Sequence, residues 1–459
     1  MVAKARTDSS PFTFVDLFAG IGGFHAALSA LGGSCVYASE IDPDASAVYQ
    51  RNWGLQPAGD IVAATTGCMD VPAHDVLAAG FPCQPFSKSG YQRGMDEARG
   101  TLFWNICRVL EQRHPSVVLL ENVRNLAGPR HAHEWDVIVR SLRELGYRVS
   151  STPAVFSPHL LPPEHGGRPQ VRERVFVLAA YVGGLQDIDV DPVVRNKPLP
   201  GWEPASGWDV RRDLPLDEKL TAADAAKVAL SGPEVEWIDA WDDFCQTLRQ
   251  DGAIRLPGFP VWADAFVTTD DLVIDETTPR WKADFLRKNA LLYTTHRRAI
   301  DAWLDRWNGL EHFPASRRKL EWQAQDAPSL WETVMHFRPS GIRAKRPTYL
   351  PALVAITQTS IVGNRRRRIT TREAARLQGL PEWFDFGDQR DALTYRQLGN
   401  GVNVGVAHHV LREHVLQHRE LIGMHAPGLV AAVGDAPPSP DVALDGTARP
   451  SASPGRVAG

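Results

Sequence analysis

Paired cysteines are missing from this chain of 459 residues. Its five cysteines, Cys35, Cys68, Cys83, Cys107 and Cys245, are odd in number, far apart and without a CxxC pair. Neither a disulfide framework nor a zinc knuckle is therefore indicated, and no metal is expected. Long apolar runs are missing too: nothing approaches the roughly 18 residues of a membrane span. The opening stretch MVAKARTDSSPF has no apolar core and no small-residue cleavage site, so no secretory signal is read there and the cytosol is the expected compartment. There is no internal repeat, and a net charge of -4 is no strong bias of either sign.

What is present is enough chain for two lobes, or for one large domain with an insertion. Hydrophobic content of 43% with 23% charged residues is that of a soluble globular protein. The charge is uneven: from Arg280 to Arg346 there are fourteen basic against seven acidic residues, and NRRRRITTREAAR adds more, which suits a polyanionic partner as well as a solvated surface.

The first part alternates apolar strands with helical patterns. FTFVDLF, CVYASEID, DVLAAGF and VVLLEN read as strands of a parallel sheet covered on both faces, and RVFVLAA follows as one more, so the fold class is α/β. Between them, GTLFWNICRVLEQR places Leu102, Ile106, Val109 and Leu110 on one helical face with Thr101 as cap. The expected division is 1–182 as a first lobe, 183–346 as an inserted lobe rich in tryptophan, and 347–420 as a return to the first. In the last, Thr370 and Glu373 form a capping box and Gly379 ends the helix. Residues 421–459, rich in Ala, Pro, Gly and Ser without period, are expected to be a disordered tail.

Several groups converge on the carboxyl ends of the strands. DLFAGIGGF puts Gly20, Gly22 and Gly23 at a strand-to-helix turn, where backbone can approach a ligand. Glu40 ends the second strand about 20 residues later, placed to accept from ribose hydroxyls. Asp60 is placed to meet an adenine amino group; taken singly, each acid reads as a helix cap. Cys83 follows the next strand, and Pro82 and Pro85 fix two φ angles around it, aiming the sulfur. Such a thiol is a nucleophile if cations stabilise its thiolate, whereas the other four cysteines read as buried hydrophobes. Glu121 ends the strand VVLLENV, and Arg172 and Arg174 lie two apart on one face of an extended segment.

DLFAGIGGF, GFPCQPFS, ENV, PQVRERV, TTREAARLQGLP and YRQLGNGV, in this order, resemble the successive motifs of DNA cytosine-5 methyltransferases of the bacterial restriction-modification type. The resemblance spans residues 12–182 and 347–415. It implies a Rossmann-like methyltransferase fold with an inserted target-recognition lobe, S-adenosylmethionine as methyl donor, and a cytosine flipped out of duplex DNA. It also implies roles. Cys83 would add to cytosine C6, Glu121 would hydrogen-bond N3 and the exocyclic amine, and Arg172 and Arg174 would hold the base and adjoining phosphate. Phe18, Gly20, Gly22 and Gly23 would line the methionine end of the donor, Glu40 its ribose, Asp60 and Ile61 its adenine, and Asn400 would close the pocket. Two departures stand out: Gly401-Val-Asn-Val-Gly follows that asparagine, and the approach to PQVRER is the long SPHLLPPEHGGR.

In the inserted lobe, Arg338, Arg343, Lys345 and Arg346 are candidates for DNA contacts, while Trp281, Trp303 and Trp322 read as core. A monomer is expected, with any cognate restriction endonuclease encoded separately. An NAD-dependent oxidoreductase fails on spacing, since Ala26 stands where a third glycine is needed. A tRNA cytosine-5 methyltransferase and a non-catalytic DNA-binding module are the remaining rivals. The long inserted lobe speaks against the first, and the retained thiol against the second.

Overall fold

The computed structural model describes residues 10–82, 101–253, 255–353 and 359–446. They form two compact units. The first comprises Met1–Trp208, Ala352–Ala355 and Ala374–Gly459; the second comprises Asp209–Pro351 and Ile356–Glu373.

The first unit is built on a seven-stranded sheet of β1 (Phe12–Leu17), β2 (Gly33–Ser39), β3 (Val76–Ala79), β4 (Val117–Val123), β5 (Tyr147–Val149), β6 (Ala154–Phe156) and β7 (Arg174–Tyr181). The order is β2-β1-β3-β4-β7-β5, with β6 also paired to β7. β1 to β4 are parallel, and β3 and the first four residues of β4 are wholly buried, as strands covered on both faces must be. The expectation of a parallel sheet needs one correction: β7 runs antiparallel to β4, β5 and β6. β5 and β6 lie in line along the same edge of β7, so only the short stretch 150–153 joins them. Thr101 caps helix Leu102–Arg113 by accepting from the Trp104 amide.

Register places the site. Leu17 of β1 pairs with Ser39 of β2 and Ala79 of β3, and Ala79 pairs with Leu120 of β4. The residues that follow this row are Glu40, Phe18, Gly80 and Glu121, all at the carboxyl edge of parallel strands.

Two boundaries differ from the sequence expectation. Residues 183–208 belong to the first unit. The Leu199 amide bonds the Leu160 carbonyl at 3.1 Å, and the indoles of Trp202 and Trp208 both donate to the His159 carbonyl, at 3.0 and 2.9 Å. Nor are residues 421–446 a disordered tail. Helices Pro427–Asp435 and Asp441–Asp445 fold there, with Leu429 and Val433, one turn apart, fully buried and Asp441 bonded to Arg168 at 2.7 Å. Scattered apolar residues at helical spacing outweigh the Ala/Pro/Gly composition.

The second unit carries a six-stranded sheet of β8 (Val261–Trp262), β9 (Lys319–Gln323), β10 (Val334–Arg338), β11 (Gly341–Lys345), β12 (Ile361–Val362) and β13 (Arg367–Arg368), in the order β13-β12-β10-β11-β9-β8. All its pairs are antiparallel except β9 with β11. Helix Gly232–Gln250 contributes Trp241 and Phe244 to a core shared with Trp303 and Trp322. Each buried indole finds an acceptor: Trp241 the Arg317 carbonyl at 2.7 Å, Trp303 the Ala240 carbonyl at 2.8 Å. Trp303 and Trp322 are thus core, whereas Trp281 is 62% exposed. The capping box forms, with the Thr370 amide on the Glu373 carboxylate at 2.8 Å and the Glu373 amide on the Thr370 hydroxyl at 3.1 Å. Glu373 is fully buried, and Arg367 neutralises it through two bonds of 2.7 and 2.9 Å. Gly379, at φ 76°, follows the end of helix Thr371–Gln378.

Candidate active site

The turn after β1 is conformationally demanding. Phe18 (φ 57°), Gly20 (φ 54°) and Gly22 (φ 93°) all adopt left-handed backbone. For Phe18 this is an uncommon, strained state that surrounding contacts must hold. One of them is Glu40, whose Oε2 accepts from the Gly20 amide and whose Oε1 accepts from the Asp42 amide, both at 2.8 Å. Each oxygen retains a lone pair for a further donor.

The three glycines serve different ends. A Cβ added at Gly20 would meet nothing within 4 Å, which leaves open space beside the turn. At Gly22 it would collide with the Trp53 indole, and at Gly23 it would lie 2.6 Å from the Val402 carbonyl oxygen. Those two are required for packing, and Gly23 brings the segment after Asn400 against the turn. Asn400 ends helix Asp391–Asn400 and is exposed. Asp60 is exposed and caps helix Ile61–Thr65, with one oxygen 2.9 Å from the Val62 amide; the Ile61 side chain is buried in the core.

Glu121 meets Arg174 at the carboxyl edge of β4, with Arg174 Nε 3.0 Å from Glu121 Oε1. Burial pushes the Glu121 carboxyl above its ordinary range, against the opposing pull of the Arg174 and Arg172 charges. An added Cβ at Gly80 would sit 3.8 Å from Glu121 Oε2 and 4.0 Å from the Phe18 carbonyl oxygen. The acid and the glycine turn therefore border one space at the end of β3. Cys83 lies outside the described residues, three positions beyond Gly80.

This strand-end assembly belongs to a chain that matches the family model of C-5 cytosine-specific DNA methylases over residues 12–416. The chain is a member of that family. It is a DNA cytosine-5 methyltransferase, of a family that depends on S-adenosylmethionine. Among its relatives is the Type II methyltransferase M.AluI of Cellulosimicrobium cellulans, 49% identical over 92% of this chain and 95% of the relative. The Type II methyltransferase M.HhaI of Haemophilus parahaemolyticus is 42% identical over 36% of this chain and 48% of its own. A solved structure, the Schizosaccharomyces pombe Dnmt2 methyltransferase, covers 88% of this chain and 99% of its own at 17% identity, with a TM-score of 0.46.

In this methyltransferase the two arginines are not equivalent. Arg172 is 2% exposed and donates to the carbonyls of Leu353 (3.3 Å), Gly399 (2.8 Å) and Gly401 (2.6 Å). Burial and the Arg174 charge push it down to about 9, against the pull of Glu121, so it stays charged at neutral pH. Two of these three bonds go to backbone on either side of Asn400, and the third to Leu353. Sequence inspection had no means to find this, because its partners lie 181 to 229 residues away.

Asp16 was missed altogether. Its carboxylate is fully buried, and among the described residues neither oxygen makes a hydrogen bond of good geometry, the His25 amide being the nearby donor. Burial drives it well above the carboxylate range, the nearby His25 amide opposing and the Glu40 charge adding. An acid inside the apolar run FTFVDLF is the signal that could have found it. Of the other cysteines, Cys107 and Cys245 are buried as expected, and burial raises the thiol of partly buried Cys35 to about 12; Cys68, however, is exposed.

Proposed function

We propose that this methyltransferase acts through Cys83 as nucleophile, with Glu121 as the group that responds to charge in the ring and Arg174 as its anchor. The carrying observation is the register row that puts Phe18, Glu40, Gly80 and Glu121 at one strand edge, with Cys83 three residues on in sequence. The thiolate forms a bond to cytosine C6, which makes C5 electron-rich. Glu121, with its raised affinity for a proton, hydrogen-bonds N3 and the amine and offsets charge developing there. Arg174 holds one carboxylate oxygen and leaves Oε2 directed toward the Gly80 turn. Once C5 carries the methyl group, a base removes the C5 proton and the carbon–sulfur bond breaks, returning the thiolate. Since C6 is shielded in a stacked pair, the base leaves the duplex first, at about a few kcal/mol.

S-adenosylmethionine, when bound, supplies an electrophilic methyl on a sulfonium. The residues present fit it: open space at Gly20, spare lone pairs on Glu40, the second oxygen of Asp60 and the exposed amide of Asn400. Arg172 is better read as a positioning residue that fixes the Gly399–Gly401 backbone than as a base or phosphate ligand.

The test is covalent trapping on duplex DNA containing 5-fluorocytosine, whose C5 fluorine blocks the final elimination. The wild-type chain should give an adduct that survives denaturation, and Cys83→Ser should bind the same DNA without one. A fully active serine variant, or no wild-type adduct, would sink the mechanism.

A further inference from the structure

The second unit has a loop whose backbone is fixed by its neighbours while its glutamine side chains make no hydrogen bond among the described residues. β9 ends at Gln323, and the chain continues through Ala324, Gln325, Asp326, Ala327 and Pro328. The Trp322 indole donates to the Gln325 carbonyl at 3.0 Å. From helix Gly232–Gln250, Arg249 donates to the carbonyls of Ala327 and Pro328, both at 2.5 Å, and Gln246 to that of Pro328 at 2.6 Å. The Arg249 guanidinium also lies 5.6 Å from the centre of the Trp322 ring. Four backbone acceptor bonds thus hold a short exposed segment.

Within it, Gln325 adopts φ 54°, a left-handed state that is strained for a residue of this kind. Gln323 and Gln325 are both exposed, and neither amide makes a hydrogen bond among the described residues. Both line a cleft of about 930 Å³ together with Arg249, Arg255 and Arg346. Arg346 is bonded to Asp326, whereas exposed Arg255 has no such partner among the described residues. A carboxamide offers one donor and one acceptor in a plane, the complement of adenine N7 and N6–H on the major-groove edge. A rigid backbone carrying free amides at the edge of a basic cleft is how a reading group is held ready.

We propose that Gln323 and Gln325 are specificity-determining residues that read A·T pairs of the target, with Arg255 on a neighbouring phosphate. This rests on the chain's action on duplex DNA. Two other basic residues are poorer candidates: Arg343 of β11 is bonded to Glu321 at 2.6 Å, and Arg346, just beyond that strand, to Asp326.

The experiment begins by mapping 5-methylcytosine made by the wild-type chain in a bacterium that lacks methylation, which gives the target. Gln323→Ala and Gln325→Ala should each lower kcat/KM on that target by about 5- to 150-fold, and the loss should shrink when one particular A·T pair is replaced. Gln325→Gly, which relieves the left-handed strain, should lose the same discrimination while its thermal midpoint holds or rises; this separates reading from folding. Arg255→Gln should weaken binding alike on all duplexes and flatten the salt dependence by about one charge. A target without an A·T pair, or glutamine variants with wild-type discrimination, overturns the proposal. No 5-methylcytosine from the wild-type chain would instead overturn the reading of the site itself.

Discussion

The two units treat buried polar groups in opposite ways. In the first, both nitrogens of His408, the Gln170 amide and Arg172 Nε are buried without a hydrogen bond among the described residues, and the buried Asp16 carboxylate has only the nearby His25 amide and no bond of good geometry. In the second, only Arg317 Nε is in that position, and its guanidinium lies 4.7 Å from the centre of the Phe337 ring. Buried Glu373 there has Arg367, and Glu321 has Arg343. Unmade bonds cost more than made ones gain, so a fold keeps them where another requirement outweighs stability. Two of those in the first unit, Asp16 and Arg172, flank the strand ends proposed to carry the chemistry. The second unit is a satisfied platform, and its proposed reading groups are free side chains on a fixed loop.

The largest effect that would break this contrast is at Glu121. Glu121→Gln keeps the shape but removes the acid and leaves Arg174 without a countercharge. Single-turnover methyl transfer should slow by about 10²- to 10⁴-fold with DNA affinity nearly unchanged. A loss below tenfold would mean that the raised proton affinity of this carboxyl serves no step, and the first unit would be no more specialised than the second.

The first unit was also the more legible of the two. Its strands announce themselves as continuous apolar runs, and its acids and glycines fall at their ends, so FTFVDLF, DVLAAGF and VVLLEN translate directly into β1, β3 and β4. What stayed hidden there depends on distant partners: the commitment of Arg172 to Gly399 and Gly401, the collision that makes Gly22 obligatory beside Trp53, and the reversal of β7. Leu429 and Val433 carried a helical signal that composition obscured. In the second unit the sheet pairs strands as short as two residues, too brief for periodicity to reveal. Basic residues there looked like DNA ligands because sequence shows charge and not pairing; Arg343 is already bonded to Glu321.

Next in size is a test of the platform. Trp303 is fully buried, lies tilted beside Trp241 with ring centres 5.3 Å apart and donates to the Ala240 carbonyl. Trp303→Ala should destabilise the second unit by about 3–5 kcal/mol, seen as a lower denaturation midpoint in tryptophan fluorescence, since eight of the fourteen tryptophans lie in that unit. Adduct formation on 5-fluorocytosine DNA at low temperature should persist. A cost under 1 kcal/mol would show that the aromatic core is loosely packed and that the platform is less fixed than the loop it supports.

Near pH 4 the smallest effect concerns Asp16, and its sign is set by linkage. Folding raises this carboxyl above its unfolded value, so the folded state holds a proton that the unfolded chain has already lost. The contribution to stability is complete below the unfolded pKa of about 4 and is lost as pH rises through the folded value. Asparagine mimics the protonated acid and does not titrate. Asp16→Asn should therefore match the wild type near pH 4 and become the more stable of the two as pH rises, gaining about 1.4 kcal/mol per pH unit until the folded acid ionises. Urea denaturation at a series of pH values reads this directly. If the two stability curves stay parallel, the carboxylate is already compensated in the fold, and the difference between the units loses its clearest member.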